Sequence, residues 1–385
     1  MICSVESCTG CTACKNVCPV NAIDMIQDEY GFYIPKINDQ KCIKCKRCEK
    51  TCPENRRPQK NAALKTWAAY ANDNAIHENS TSGGVASAIA NEIIKKGGVV
   101  YGHGFNTDNE LICSRASTSE KLQNFSGTKY VQSQMKTAIK DIEEDLKNGI
   151  NVLFIGSPCQ VGGLLNSLGK VPNNLLTISF ICGGVPSERF LKEHLMKFKI
   201  ESYSNILFRS GKEYGFWLKK NNQTELIEER WKSDYFIGFD EHLIQRESCY
   251  NCQYAQEKRV GDITIGDFWG LHNTRLSSDK VKNGISVVIA SSSKGCQVIE
   301  ECVNNNLLSV EEHDFSECCV ENPRLISAVS RKSEVARFRE LYKKIGFDKS
   351  VNQIYGLKYM VYRTKRTVKK IKIMDAIYHK FFRRK

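Results

Sequence analysis

Apolar residues between positions 66 and 310 recur in two rhythms that alternate along the chain. Trp67 to Ala71 reads as a short strand. Val85, Ile89 and Ile93 then fall on one face of a helix predicted over 85–96, which Gly97-Gly98 ends. Val99-Val100-Tyr101 predicts the next strand and Gln134 to Lys147 the next helix. The run Val152-Leu153-Phe154-Ile155 is the strongest strand signal of the chain, and a helix is expected near Gly162 to Leu168. Leu175 to Cys182 and Ser187 to Lys199 repeat the strand and helix. Ile285 to Ala290 reads as a later buried strand, followed by a helix from Gly295 to Asn304. This alternation predicts an α/β body with a mainly parallel or mixed sheet. Polar residues from Pro53 to Lys65 separate it from the front of the chain. The expected division is 1–58, a two-part body of 66–150 and 151–330, and a helical tail over 331–385.

Cysteine changes this picture. Cys8, Cys11, Cys14 and Cys18-Pro19 are followed by Cys42, Cys45, Cys48 and Cys52-Pro53. Each quartet reads C-x2-C-x2-C-x3-C-P, the bacterial ferredoxin run that holds a 4Fe-4S cubane. Spacing of three lets successive thiolates curl around one cube, while the displaced fourth cysteine reaches the other cluster. This assigns Cys8, Cys11, Cys14 and Cys52 to one cluster, and Cys42, Cys45, Cys48 and Cys18 to the second. C-x2-C pairs also suit zinc ribbons. Four-coordinate zinc gives no reason for a further cysteine and proline occurring twice, so an α+β ferredoxin-like two-cluster module is expected over 1–58.

Composition narrows the setting. The 385 residues are 41% apolar, ordinary for a globular chain, and 18 cysteines fall short of a disulfide scaffold. No signal peptide precedes Cys3 and no run of about eighteen apolar residues occurs, so a cytoplasmic, reducing setting is expected. Residues 357–385 hold eleven Lys/Arg against Asp375 alone, most of the net +13. Nothing in the body suggests nucleic acid. If the tail is helical, Val368, Ile371, Met374, Tyr378 and Phe381 line one face, with Lys365, Arg366, Lys369, Lys370, Lys372 and Arg383 around the rest. A basic amphipathic helix suits peripheral contact with an anionic membrane face or an acidic partner, and equally a helix packed on its own domain.

Further chemistry sits at turns. Cys159 and Cys182 follow strand ends, where ligands gather in parallel sheets. With Cys249 and Cys252 they make four thiols suited to a third 4Fe-4S cluster; buried structural cysteines and a zinc knuckle are the alternatives. Ser82-Gly83-Gly84 opens a helix and offers backbone N–H groups to a phosphate, although Ser and Gly also simply begin helices. Gly127-Thr128-Lys129-Tyr130 and Gly266-Asp267-Phe268-Trp269 are polar-aromatic turns. His103, between two glycines, reads as a proton donor or a satisfied surface histidine. Cys113, Cys296, Cys302, Cys318 and Cys319 lack ligand spacing and are expected to pack. Cys3 is unassigned.

The ordered series Ser80-Thr81-Ser82-Gly83-Gly84-Val85, Gly127 to Ser133, Gly156-Ser157-Pro158-Cys159-Gln160, Cys182 to Ser187, Cys249-x-x-Cys252 and Gly261 to Trp269 resembles the family of coenzyme F-420 hydrogenase/dehydrogenase beta subunits. The resemblance covers about residues 66 to 310. It implies an FAD-binding body with its own 4Fe-4S centre, carrying electrons between clusters and a hydride-exchanging substrate such as a deazaflavin. Carried over, Ser82, Gly83, Gly84, Thr128, Lys129 and Tyr130 are flavin-site residues, and Cys159, Cys182, Cys249 and Cys252 ligands of the third centre. Gly183 stands where many relatives place a histidine. The fused front module implies a reductase served by soluble ferredoxin. A non-catalytic electron-transfer subunit of a larger hydrogenase or dehydrogenase, and a membrane-surface reductase of envelope polysaccharide synthesis, are the rival functions.

Overall fold

The computed structural model describes residues 2–211, 213–220 and 223–382, with side chains in the last helix described as far as Arg366. The front unit is a hairpin flanked by two helical turns. β1 (Ile23–Gln27) pairs antiparallel with β2 (Tyr33–Ile37), and the turns are Ala13–Asn16 and Arg47–Thr51. Ile2, Cys14, Ile23 and Cys52 form its small core.

The body follows as β3 (Lys65–Ala71), β4 (Val99–Phe105), β5 (Leu111–Ala116), β6 (Val152–Gly156) and β7 (Leu175–Phe180). Then come β8 (Ile206–Ser210), β9 (Glu213–Lys220), β10 (Gln223–Glu229), β11 (Ile263–Asp267), β12 (Ser286–Ala290) and β13 (Leu308–Glu312). Eight of these form one sheet in the order β13-β3-β12-β11-β7-β6-β4-β5. Its centre is parallel, through β4 with β6, β6 with β7, and β7 with β11. The remaining four pairings are antiparallel, so the sheet is mixed rather than mainly parallel. β12 is buried along its whole length and β7 nearly so. That burial on both faces is why each reads as an unbroken apolar run.

Helices cover the faces: α1 (Val85–Lys95), α2 (Ala138–Lys147), α3 (Pro158–Leu168), α4 (Glu188–Leu195) and α5 (Ser293–Asn304). Two differ from expectation at their starts. α2 begins four residues late because the Gln134 N–H bonds to the Leu111 carbonyl beside β5, and Lys136 is left-handed at φ 44°. α3 begins four residues early. Pro158 occupies its first turn, and Gln160 Oε1 accepts from the Ser157 N–H at 2.9 Å, a capping interaction that closes the N-terminus. Cys159 therefore sits in the first turn of a helix rather than in a loop.

The β10-β9-β8 sheet was not predicted. One face buries Phe208 and Phe216 against Tyr235 and Phe236, while β10 is charged and largely exposed. α6 (Glu334–Ile345) and α7 (Phe347–Phe382) follow, and Phe338, Phe347, Val351 and Tyr355 join the same aromatic core. α7 is anchored where His194, fully buried, bonds Asp348 at 2.5 Å and Glu228 at 2.8 Å. Burial would depress the His194 pKa, but its two carboxylate partners raise it. Leu357, Met360 and Val361 of α7 are exposed. The side chains expected to make the tail amphipathic, Val368, Lys369, Lys370, Ile371, Lys372, Met374, Tyr378 and Phe381, together with Arg383, lie outside the described residues. Among the described residues no helix is long and apolar enough to cross a membrane.

Candidate functional site

Three groups of thiols run from the outer edge of the front unit into the body. Cys8, Cys11, Cys14 and Cys52 line one recess, with Cys3 beside them. This is the grouping the spacing predicts, the fourth thiol coming from the second quartet. All four are buried. Burial pushes the Cys11 thiol up to about 12 and raises Cys14 further. Cys8 is lowered to about 6 and Cys52 to about 7, each by hydrogen bonding with Cys3, which is raised in turn. Cys3 is thus a fifth thiol on this recess, for which the sequence offered no spacing.

The second set is open. Cys45 is exposed and Cys18, Cys42 and Cys48 are half-buried. Cys18 and Cys48 both pack against the small core that contains Cys14 and Cys52. Burial and the neighbouring Cys45 raise the Cys48 thiol. The Cys18 sulfur accepts the Ala22 N–H at 3.2 Å.

The third set stands on the body. β6 and β7 are adjacent and parallel, so the segments that leave their carboxyl ends bring Cys159 and Cys182 side by side. A two-stranded contact adds the remaining pair: Pro186 bridges Gln245, and the Arg246 N–H bonds the Val185 carbonyl at 2.9 Å. Gly184 makes this approach feasible. Its φ of 91° is left-handed, and a Cβ there would lie 3.2 Å from the Cβ of Cys249. Cys159, Cys182, Cys249 and Cys252 accordingly line one cavity. Burial pushes Cys182 and Cys249 up to about 12 and raises Cys159 and Cys252. Among the described residues no three His, Cys, Asp or Glu side chains close on a point as a single bound ion requires. The four thiols ring a space instead, and their sulfur donor set suits a multi-iron group.

The first and third sets adjoin. Gly163 of α3 leaves room for Cys11, whose Sγ would be 3.0 Å from a Cβ at that position. Gly162 faces the Tyr254 hydroxyl, at 2.3 Å from a would-be Cβ. Tyr254 is buried near both Cys159 and Cys11, and its hydroxyl has no hydrogen-bond partner among the described residues. Two buried arginines flank the sets. Arg246, 3% exposed, donates to the Cys8 carbonyl at 2.5 Å, to Gln132 and to the Tyr33 carbonyl. Arg259, 2% exposed, lines the third cavity, held by the Tyr254 and Gln256 carbonyls, and burial lowers it to about 10. Fixed cations beside buried thiols suit an anionic metal–sulfur group. No spacing signalled Arg246, whose partners are distant in sequence, nor Tyr254 or Arg259, whose place beside the thiols is set by packing.

The two turns that carry the flavin-site residues expected from the resemblance meet, but those residues have mixed duties. Thr81 and Thr128 hydroxyls meet at 2.9 Å and join the two turns. Ser82 Oγ donates to the Ile285 carbonyl, and the Gly83 N–H donates to Ser286 Oγ at 3.0 Å, so these groups fasten the turn to β12. No side chain caps α1 at Gly84, leaving its first-turn amides without a cap. Lys129 turns inward: its ammonium donates to the carbonyls of Phe125, Ser126 and Gly127, and burial pushes it down to about 7. Tyr130 packs its ring among Phe208, Phe236 and Phe239, and its carbonyl accepts from Tyr235. Its phenol lies beside Tyr214, and the Arg209 guanidinium stacks over Tyr214 while bonding Asp267 at 2.8 Å.

His103 is within β4, not past it, and is not a satisfied surface residue. Both ring nitrogens are buried without partners among the described residues, and burial with the nearby Lys129 pushes the imidazole down to about 4. Gly183 faces open space, with only Phe239 at 3.9 Å, so the site has room for the side chain it lacks. Of the cysteines expected to pack, Cys113, Cys302 and Cys318 are buried and Cys296 and Cys319 half-buried.

Comparison with known proteins agrees in outline. The model for the N-terminal part of the coenzyme F420 hydrogenase/dehydrogenase beta subunit matches residues 66–140, and that for its C terminus residues 150–315. A 4Fe-4S dicluster domain matches residues 7–56. One subunit of the F(420)H(2) dehydrogenase of Methanosarcina mazei is 24% identical over 289 residues, 69% of this chain and 78% of that protein. A polyferredoxin-like protein of Methanocaldococcus jannaschii is 46% identical over 56 residues, 12% of this chain and 33% of that one. A chain of the F420-reducing NiFe hydrogenase complex from Methanosarcina barkeri superposes with a TM-score of 0.48 at 17% identity, covering 76% of this chain and 92% of that chain. With both halves of one family and a dicluster domain matched in order, the chain belongs to the family of coenzyme F420 hydrogenase/dehydrogenase beta subunits and carries a 4Fe-4S dicluster domain at its front.

Proposed function

We propose that this protein is an iron-sulfur flavoprotein oxidoreductase that passes electrons between a one-electron carrier and a hydride-exchanging substrate, with coenzyme F420 as the leading candidate. The observation that carries the reading is the chain of adjoining thiol sets, which runs from exposed Cys45 through buried Cys11 to Cys159 beside it. A path of that kind suits electron transfer and has no use in a simple hydrolase or binding module. When bound, FAD supplies the exchange between single-electron and hydride steps, and 4Fe-4S groups supply the single-electron relay.

The residues divide the work. Cys8, Cys11, Cys14 and Cys52 hold the inner group, Cys18, Cys42, Cys45 and Cys48 the outer one, and Cys159, Cys182, Cys249 and Cys252 the third. The nearby Arg259 offsets part of the burial that raises the Cys182 and Cys252 thiols of the third set. For the flavin, the uncapped start of α1 at Gly84 is the anion-binding end. Thr128 and Tyr130 belong to the turn that meets the Ser82-Gly84 turn, while Ser82, Gly83 and Lys129 hold the two turns in place. His103, kept neutral by burial, is available as an acceptor or donor at the carboxyl end of β4. The domain boundaries we propose are 1–58, 66–150, 151–330 and 331–385, and the setting we propose is the reducing cytoplasm.

Anaerobically purified protein is expected to contain about twelve irons per chain and an oxidised-flavin spectrum beneath the cluster absorbance. It should reduce a viologen with reduced coenzyme F420 or a nicotinamide nucleotide as donor. Iron without flavin would instead support the second reading, an electron-transfer subunit of a larger enzyme, which is favoured by the Methanosarcina mazei relative, itself one part of a dehydrogenase. The exposed Leu357, Met360 and Val361 on α7 keep a membrane-surface role as a third reading. Unchanged binding to anionic vesicles after removal of residues 357–385 would reject it.

A further inference from the structure

The second thiol set is distinguished by what surrounds it. Of the twelve predicted ligand cysteines, Cys45 alone is exposed. Lys44 and Lys46, on either side, are both left-handed, with φ of 55° and 58°. That conformation is uncommon without glycine. Lys41, Lys44, Lys46, Arg47 and Lys50 are all exposed, against the exposed carboxylates Asp39 and Glu49 in the same stretch. The front unit's ion pairs among the described residues lie on its hairpin side, Lys15 with Asp24 and Glu29 with Lys343. None of the five cations is matched among those residues. Ile43, 61% exposed, adds an apolar contact inside this collar.

Exposed and unmatched by carboxylates, these cations leave a positive surface around the one exposed thiol, and such a surface suits an acidic partner. We propose that this collar is the docking surface of an acidic one-electron carrier protein of the ferredoxin or flavodoxin kind, seated on Ile43 over Cys45. The inference rests on the reading that Cys18, Cys42, Cys45 and Cys48 hold a cluster, and adds the place and charge of its partner. Opposed charges at a small contact raise association rates by roughly 10 to 10³-fold and lose that advantage as salt screens them. Brief, salt-sensitive contact suits a carrier that must leave after one electron.

The test uses anaerobically purified full-length protein and a purified acidic bacterial ferredoxin as probe, with Kd measured by calorimetry. Binding should weaken at least about tenfold between about 20 and 300 mM salt. The triple variant Lys41→Glu, Lys44→Glu, Arg47→Glu should bind at least about tenfold more weakly at low salt. The control Lys95→Glu, Lys121→Glu, Lys349→Glu carries the same charge change on exposed residues elsewhere and should stay within about threefold. The milder pair Lys41→Gln, Lys50→Gln should fall between and covers misfolding of the triple variant. Equal weakening of collar and control variants, or binding indifferent to salt, overturns the proposal. Iron and flavin content of the same samples tests the underlying reading separately, because every variant keeps all its cysteines.

Discussion

The two front quartets share one spacing and have opposite surroundings. Cys11 is buried against Gly163 of the body, whereas Cys45 is exposed between two lysines. Ligand spacing decides which thiols can share a group, because it is local geometry. Packing decides which side that group serves. The inner set packs against the body and the outer set carries the one exposed thiol, so one sequence motif used twice has two settings.

The sharpest test substitutes one cysteine from each set. Cys11→Ser and Cys45→Ser should each lower iron by about four atoms. Only Cys11→Ser should also reduce hydrogen-exchange protection in α3, since only that thiol packs on it; equal loss of protection from Cys45→Ser would erase the distinction. Next in size is a change remote from both sets. His194→Ala removes the partner of two carboxylates and should cost about 3–5 kcal/mol by denaturant unfolding while iron content stays full. The same contact sets a pH dependence. Because the His194 pKa is raised on folding, its contribution is complete below its ordinary 6.5 and is lost as pH rises through the raised value. Exchange protection at the start of α7 should fall accordingly. Glu228, lowered to about 2 by His194 and Lys197 despite its burial, loses its contribution only as pH drops from 4.5 toward that value.

Smaller effects probe the junction of inner and third sets. Gly162→Ala drives a methyl into the Tyr254 hydroxyl and should destabilise the protein by about 1–3 kcal/mol. Tyr254→Phe removes a buried hydroxyl near two sets at once. Midpoint potentials of the clusters, followed by electron paramagnetic resonance, should fall on the order of tens of millivolts if that hydroxyl bonds cluster sulfur. Unmoved potentials would mean that Tyr254 only fills space between the sets.

What the sequence disclosed follows the range of the interactions. Three thiols of each front group were legible because they arise within a few residues and the fourth because this motif lends it to the other cluster, and Cys159 with Cys182 because ligands gather at the carboxyl ends of parallel strands. Arg246 was not legible, since its Cys8 contact spans 238 residues. β9 and β10 were hidden by their charged outer positions, which break the apolar alternation that strand reading needs. Lys129 was expected at a ligand and instead bonds the carbonyls of its own loop, a matter of rotamer that residue type does not encode. His103, read from its flanking glycines as a proton donor or a satisfied surface residue, has both ring nitrogens buried, and Gly102 and Gly104 make room for Phe125 and Asn124 on the opposite face.

The recess of Cys8, Cys11 and Cys14 bears on biosynthesis, because Cys52 lies 38 residues beyond Cys14. Asn55 then ties to the Ile2 carbonyl at 2.8 Å and closes the unit. The last ligand of that recess thus comes from the far end of the unit, and a chain cut short before Cys52 would keep three of its four thiols.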